Sequence, residues 1–310
     1  MITIEPGAIA DRAAGVLLAG ATGDALGVPY EYGSRPLPPP GEPPRMLGGG
    51  LGNIAPGQWS DDTEMACAIA LAAADGADLR TEDGLDAVAD GFLRWYAQDP
   101  PDVGTQTRAV LDGARPGPGS AARLRRRAAD LHARTGRTAG NGSLMRTAPV
   151  ALAHLGDTPA IVAVATAISA LTHHDPVAGE ACALWCLAID HAVHTGEVDV
   201  RVGLPHVGDH WADLLDRADE PERFAGANGW VVAALQGAWA AVRRADGVAD
   251  GLERAVRGGG DTDTVAAIAG GLLGAAFGAA AVPGHPEPLH GWPDLTGADL
   301  VRLAVAILPA

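Results

Sequence analysis

Basic residues, aromatics and cysteines are all scarce in this chain. Of its 310 residues, 22 are basic and 38 acidic, giving a formal net charge of −16 at pH 7. Nucleic acid and anionic membranes bind clustered Lys and Arg, so neither is an expected partner. The basic cluster Arg123, Arg125, Arg126 and Arg127 reads as the solvated face of a helix. Three cysteines, Cys67, Cys182 and Cys186, make no disulfide framework, and no pair has zinc-ribbon spacing. Cys182 and Cys186 lie four apart and read as small core residues on one helix face. Aromatics make up 4%, and β-branched, aromatic-rich runs are few, which argues against a sheet-based fold. No internal repeat appears, so a solenoid is not expected. Glu5, Asp11 and Arg12 precede the first apolar stretch, where a signal peptide would carry positive charge alone. No leader is therefore expected, and the expected compartment is the cytoplasm. Val265–Val282 is uncharged and near membrane-spanning length, but it is mostly Ala and Gly, too poor in large side chains to favour lipid.

Alanine dominates the apolar set, and hydrophobic residues reach an ordinary 47%, enough for a large core. Apolar positions recur at three- and four-residue spacing near 8–22, 62–75, 82–98, 120–134, 158–171, 177–194, 229–244, 262–281 and 297–308. The chain is thus a succession of helices packed through small side chains. Its longest irregular piece is Gly33–Gln58, rich in Pro and Gly, which reads as functional or as a flexible rim rather than a linker.

Three acidic groups stand out. Gly23-Asp24-Ala25-Leu26-Gly27-Val28-Pro29-Tyr30-Glu31 places Glu31 at the start of the long loop, where it can point into a cleft. In Trp59-Ser60-Asp61-Asp62-Thr63-Glu64-Met65, the apolar face of Met65, Ala68, Ile69, Ala72 and Ala73 extends backwards onto Asp62 and Asp61. Ser60 as N-cap and Asp61…Glu64 as a capping box explain one acid there, but not two aimed inward. Gly258-Gly259-Gly260-Asp261-Thr262-Asp263-Thr264 alternates acids with hydroxyls at a helix start, a pattern of oxygen donors that suits a hard cation. The row Gly270, Gly274, Gly278 reads as a close helix-packing seam. If Glu31, Asp61, Asp62, Asp261 and Asp263 converge, their repulsion calls for cations, and two divalent ions would offset four of the five charges.

These motifs, with Gly140-Asn141-Gly142-Ser143-Leu144-Met145-Arg146 and Thr172-His173-His174-Asp175-Pro176, resemble the ADP-ribosylglycohydrolase family in order and across nearly the whole chain. The resemblance implies an all-α fold, a compact single-domain orthogonal helical bundle over 1–310 with active-site loops at helix N-termini. It implies two divalent cations, Mg2+ or Mn2+, and cleavage at C1″ of the distal ribose of an ADP-ribosyl group. Ser60, Asp61, Asp62, Asp261, Asp263 and Thr264 match the family's metal ligands; Ser60 stands where Thr is usual and keeps the hydroxyl. Glu31, Asp61, Asp62 and Asp102 are the catalytic candidates, the first three as the base or water-orienting group. Asp102 matches a family stretch and could contact a leaving guanidinium or activate the attacking species; it could equally be the N-cap of the next helix. Asn141, Gly142, Ser143 and Met145 match a loop lining the ADP-ribose site, whose backbone N–H groups can hold pyrophosphate without a basic patch. His173 matches a pocket histidine, and His174 is the weaker candidate. The expected partner is an ADP-ribosylated protein, arginine-linked before serine-linked, and the expected state is a monomer. Alternatives are a hydrolase of small ADP-ribose esters and an inert member of the same fold.

Overall fold

The computed structural model describes residues 6–309. Glu5, one of the residues weighed against a leader, lies outside the described residues. Helices α1 (Pro6–Gly27), α2 (Asp61–Ala74), α3 (Glu82–Tyr96), α4 (Thr105–Leu111), α5 (Ser120–Thr135), α6 (Ala148–Ala153), α7 (Thr158–Ser169), α8 (Pro176–Thr195), α9 (His210–Asp216), α10 (Val231–Val242), α11 (Val248–Arg257), α12 (Thr262–Phe277) and α13 (Gly297–Ala306) follow one another. The strands described are two residues each, β1 (His290–Gly291) and β2 (Leu295–Thr296), paired antiparallel. The fold is an all-α bundle. No helix among the described residues is long and apolar enough to cross a membrane.

Local chemistry sets most helix ends. Thr81, Asp157 and Asp175 accept backbone N–H groups at the starts of α3, α7 and α8. Gly136 and Gly196, both left-handed, close α5 and α8. Thr296 and Asp299 form a capping box on α13. All of α10 and the whole run Thr262–Ala276 of α12 are buried, as uniformly apolar helices require. Around them α3, α5, α11 and α13 bury one face each, through residues such as Val88, Leu124, Leu252 and Leu300. Cys182 and Cys186 are buried free thiols in α8.

The periodicity expectation omits α4, α6, α9 and α11. The first three have 7, 6 and 7 residues, fewer than needed to display a 3.6-residue period. In α11 the face Val248, Leu252, Ala255, Val256 is regular, but Gly251 and the glycines after Arg257 compete as breaker signals. α12 stops at Phe277 rather than 281, because Gly278 leaves the helix at φ 83°.

One helix pair sets the geometry of the site. A Cβ on Gly274 would stand 1.9 Å from the Gly15 carbonyl oxygen, and one on Gly270 would stand 2.2 Å from that of Ala19. A Cβ on Gly23 would stand 2.2 Å from the Ala266 oxygen, and one on Gly27 would stand 2.4 Å from Asp263 Cα. The contacts descend by three or four on one helix as they rise by four on the other, so α1 and α12 run antiparallel with their backbones touching. Gly270 and Gly274 belong to this seam. Gly278 extends it at the α12 C-cap, where its carbonyl carbon would stand 2.8 Å from a Cβ on Gly15 and a Cβ of its own would meet Asp11 Oδ2 at 1.9 Å. α1 also runs on through Gly23 to Gly27, beyond the expected stop, because close packing on α12 outweighs the low helix propensity of glycine. The seam brings the C-terminus of α1 to the N-terminus of α12, and Thr262 Oγ1 donates to the Gly27 carbonyl (2.8 Å) to fix the join.

Candidate functional site

The N-termini of α2, α4 and α12 face a cavity of about 390 Å³, within the size range of small-molecule sites. Glu31, Asp61, Asp102, Asp261 and Asp263 line it. Oxygens of Glu31, Asp102 and Asp263 all lie within 4.8 Å of one another. Asp102 is therefore not the cap of α4, whose N-cap is Gly104. Thr264 lines the same wall, and its N–H donates to Asp263 Oδ1 (3.0 Å).

Ser60 and Asp62 lie behind this wall and do not line the cavity. Ser60 occupies the N-cap position of α2, but its side chain does not cap. The capping box also fails, because Glu64 Oε2 accepts from Trp95 Nε1 (2.6 Å) instead. Asp24, from α1, takes over the cap. It accepts from Ser60 N–H (2.9 Å), Ser60 Oγ (2.8 Å), Thr63 N–H (3.1 Å) and Thr63 Oγ1 (2.6 Å). Ser60 Oγ also lies 2.9 Å from Asp62 Oδ2. Its single hydrogen cannot serve both carboxylates, so the second contact holds when Asp62 carries a proton and donates it.

Asp261 is held by two neutral donors, Tyr32 OH (2.9 Å) and Asn141 Nδ2 (2.7 Å). Asn228 pins the glycine turn ahead of it: its Oδ1 accepts from Asp261 N–H (3.0 Å) and its Nδ2 donates to the Gly259 carbonyl (2.9 Å). A Cβ on Gly260, at φ 72°, would meet the Ala225 oxygen at 2.2 Å, so only glycine fits that turn.

Opposite the carboxylates, Asn141, Gly142, Met145 and His173 line the cavity. Ser143 does not. It turns into the core, where Ser169 Oγ and Cys182 Sγ donate to it. His173 is buried, whereas His174 is exposed beside His132.

Burial and crowding make these acids hard to ionise without compensation. Burial first, then the charges of Asp102 and Asp261, push Glu31 up to about 8. Asp61, Asp62 and Asp263 rise well above the usual range, with burial the leading cause and neighbouring carboxylates adding to it. Asp102 rises through burial and Asp261. Burial takes Asp24 to about 6 even against its four donors.

The donor set fits divalent cations. It is all oxygen, three carboxylates share one small space, and Asp62 Oδ1 is buried with no hydrogen-bond partner. Asp24, Tyr32 and Asn228 are the residues sequence reasoning missed as parts of this site. The only local cue was a lone acid, Asp24, within a helix of small apolar residues.

Comparison with known proteins agrees with this architecture. The chain is 29% identical over 296 residues to the ADP-ribosylarginine hydrolase Tri1 of Pseudomonas putida (strain GB-1), covering 91% of this chain and 74% of that one. It is 29% identical over 282 residues to the ADP-ribosyl-(dinitrogen reductase) glycohydrolase of Rhodospirillum rubrum, covering 88% of each. A solved chain of an ADP-ribosylglycohydrolase-related protein complex superposes with a TM-score of 0.71 at 29% identity, over 97% of this chain and 98% of that one. A family model described as ADP-ribosylglycohydrolase matches residues 5–309, so the chain belongs to the ADP-ribosylglycohydrolase family.

Proposed function

We propose that this chain hydrolyses the glycosidic bond at C1″ of the distal ribose of ADP-ribosylated protein and releases ADP-ribose. The observation that carries the reading is the convergence of Glu31, Asp102 and Asp263 at the carboxylate wall, facing the Gly140–Met145 turn and His173. The names of the two relatives, one acting on ADP-ribosylarginine, favour an arginine linkage.

Glu31, Asp61, Asp62, Asp102, Asp261 and Asp263, with the hydroxyls of Ser60 and Thr264, would hold two divalent cations, Mg2+ or Mn2+. Bound there, the cations would supply Lewis-acid polarisation and offset the carboxylate charge. The protein's own groups do the rest. Glu31 or Asp61, the two of these candidates that line the cavity, takes a proton from the attacking water, while Asp62 stands behind them. As the bond to the acceptor breaks, positive charge grows on the ribose, and the neighbouring carboxylates stabilise it. Asp102, at the cavity wall, faces the departing guanidinium. In the Gly140–Met145 turn, Asn141, Leu144 and Met145 N–H donate to backbone carbonyls, which leaves the glycine N–H groups to hold the pyrophosphate.

Purified protein should release ADP-ribose from an arginine-modified substrate faster than from a serine-modified one or from a small ADP-ribose ester. Chelation should abolish release, and Mg2+ or Mn2+ should restore it. Turnover indifferent to chelation would sink the metal reading, and preference for the small ester would sink the protein-substrate reading.

The raised acids also set a pH dependence. Glu31 moves from 4.5 to about 8, so between those values the folded, metal-free protein holds a proton that the unfolded chain has lost. Its stabilising contribution is full below pH 4.5 and lost as pH rises toward 8. In chelator, Tm should therefore fall between pH 5 and pH 8. Saturating Mg2+ should raise Tm by about 5 °C or more at pH 8 and by far less at pH 5. A larger metal effect at pH 5 would contradict this assignment.

A further inference from the structure

Arg146 is fully buried without a carboxylate partner. Its Nη2 donates to Thr172 Oγ1 (2.6 Å), its Nη1 to Met65 Sδ (3.4 Å), and its guanidinium lies 4.4 Å from the centre of the Phe92 ring. Its Nε has no partner among the described residues. An uncompensated buried cation is costly, and an apolar side chain would fill the same space at less cost. Packing alone does not account for an arginine here.

Thr172 supplies the account. It is fully buried, and among the described residues its hydroxyl meets Arg146 and His173 Nδ1 (2.7 Å). A guanidinium only donates, so Thr172 Oγ1 accepts from Arg146. The hydroxyl hydrogen then has one acceptor within reach, His173 Nδ1. A proton on Nδ1 would leave that hydrogen buried and unpaired. Nδ1 therefore accepts, and the ring proton sits on Nε2. Nε2 has no protein partner among the described residues. It stands at the cavity wall, 3.3 Å from where a Cβ would be on either Gly140 or Gly142.

We infer that Arg146, acting through Thr172, locks His173 in the Nε2–H tautomer and makes it a standing hydrogen-bond donor to the cavity. Burial and the Arg146 charge hold the imidazole well below its usual range, so a second proton is disfavoured. All 22 basic residues of the chain are arginines, and none lines the cavity. The nearby amides are engaged: Gln106 Nε2 donates to the Thr138 and Thr172 carbonyls, and Asn141 Nδ2 to Asn228 and Asp261. His173 thus offers an uncharged donor to an anionic ligand. Resting on the ADP-ribosyl reading of the cavity, we assign that acceptor as a phosphate oxygen. Arg146 touches no ligand and is a positioning residue.

The test uses full-length protein labelled with 15N-histidine, with His173 assigned by comparison with His173→Gln. Long-range 1H–15N spectra should show His173 as the Nε2–H tautomer, without titration from pH 6 to pH 8. Thr172→Ser should keep that pattern. Thr172→Val, which removes the donor to Nδ1, should mix the tautomers and raise KM for ADP-ribosylated substrate about tenfold with a smaller change in kcat. Arg146→Met, which keeps the volume, removes the donor that fixes Thr172 Oγ1 as an acceptor, so it should also mix the His173 tautomers. An Nδ1–H tautomer in the wild type, or a pattern unmoved by Thr172→Val, overturns the inference. These spectra need no substrate, so the inference can fail while turnover of ADP-ribosylated protein stands, and the functional reading can fail while the tautomer stands.

Discussion

Asp263→Asn is expected to lower kcat for ADP-ribose release by about a thousandfold while making the metal-free protein more stable. The substitution is nearly isosteric, and the Asn oxygen can still accept from Thr264 N–H. What it removes is charge from the tightest part of the carboxylate wall, where Asp263 sits with Glu31 and Asp102. Asp263 is the one member shared by the close triad and the glycine seam, so Asp263→Asn removes a carboxylate from the proposed cation site while keeping the shape that packs on α1. Burial and the charges of Glu31, Asp261, Asp62 and Asp24 all oppose its ionisation, so the neutral amide is the less costly group when no cation is present. Tm in chelator at pH 8 should rise by about 4 °C, while the Mg2+-dependent increment shrinks. A variant that keeps kcat within tenfold of the wild type would remove Asp263 from the machinery. A variant that melts lower in chelator would show the carboxylate to be structural.

Gly274→Ala is expected to destabilise the protein by about 3 kcal/mol and lower Tm by about 6 °C. Alanine ordinarily strengthens a helix by roughly 1 kcal/mol relative to glycine, so the sign of the effect is diagnostic. The added Cβ would stand 1.9 Å from the Gly15 carbonyl oxygen, and backbone cannot rotate out of the way as a side chain can. The helices must separate, and with them the end of α1, which leads into Glu31, and the start of α12, which carries Asp263. Release of ADP-ribose should fall in parallel. Gly7→Ala is the control, because a methyl added at that position in α1 would have nothing within 4 Å, and it should leave Tm unchanged or raise it. Equal melting of the two variants would mean that the seam does not hold the helices together.

What the sequence revealed followed the range of the forces involved. Asp61 and Asp62 were readable because they start a helix whose apolar face extends back onto them, and Asp261 and Asp263 because they alternate with hydroxyls at a helix start. Gly270 and Gly274 were readable as a seam because their spacing matches one helix face. Asp102 was ambiguous because α4 has only 7 residues, too few to show where it starts, and the choice between cap and site depended on that start. Asp24 was visible within a motif but had no role to read from it. Its four donors come from Ser60 and Thr63, 36 and 39 residues away, and no local pattern announces them. Asn228 was missed for the same reason, since it acts on a turn more than 30 residues downstream. Ser143 shows the converse. Its motif matched the family, but a motif does not say which way a side chain turns, and Ser169 and Cys182 draw it inward.

The substitution of Asp24 for a local cap changes how inactivity at that position is to be understood. Its carboxylate is bonded to the first turn of α2, the turn that carries Asp61 and Asp62. Replacing Asp24 is therefore expected to stop ADP-ribose release by fraying a helix end, although Asp24 does not line the cavity. Hydrogen exchange separates the two kinds of defect. The Ser60 and Thr63 amides should lose protection when Asp24 is replaced and keep it when Asp263 is replaced.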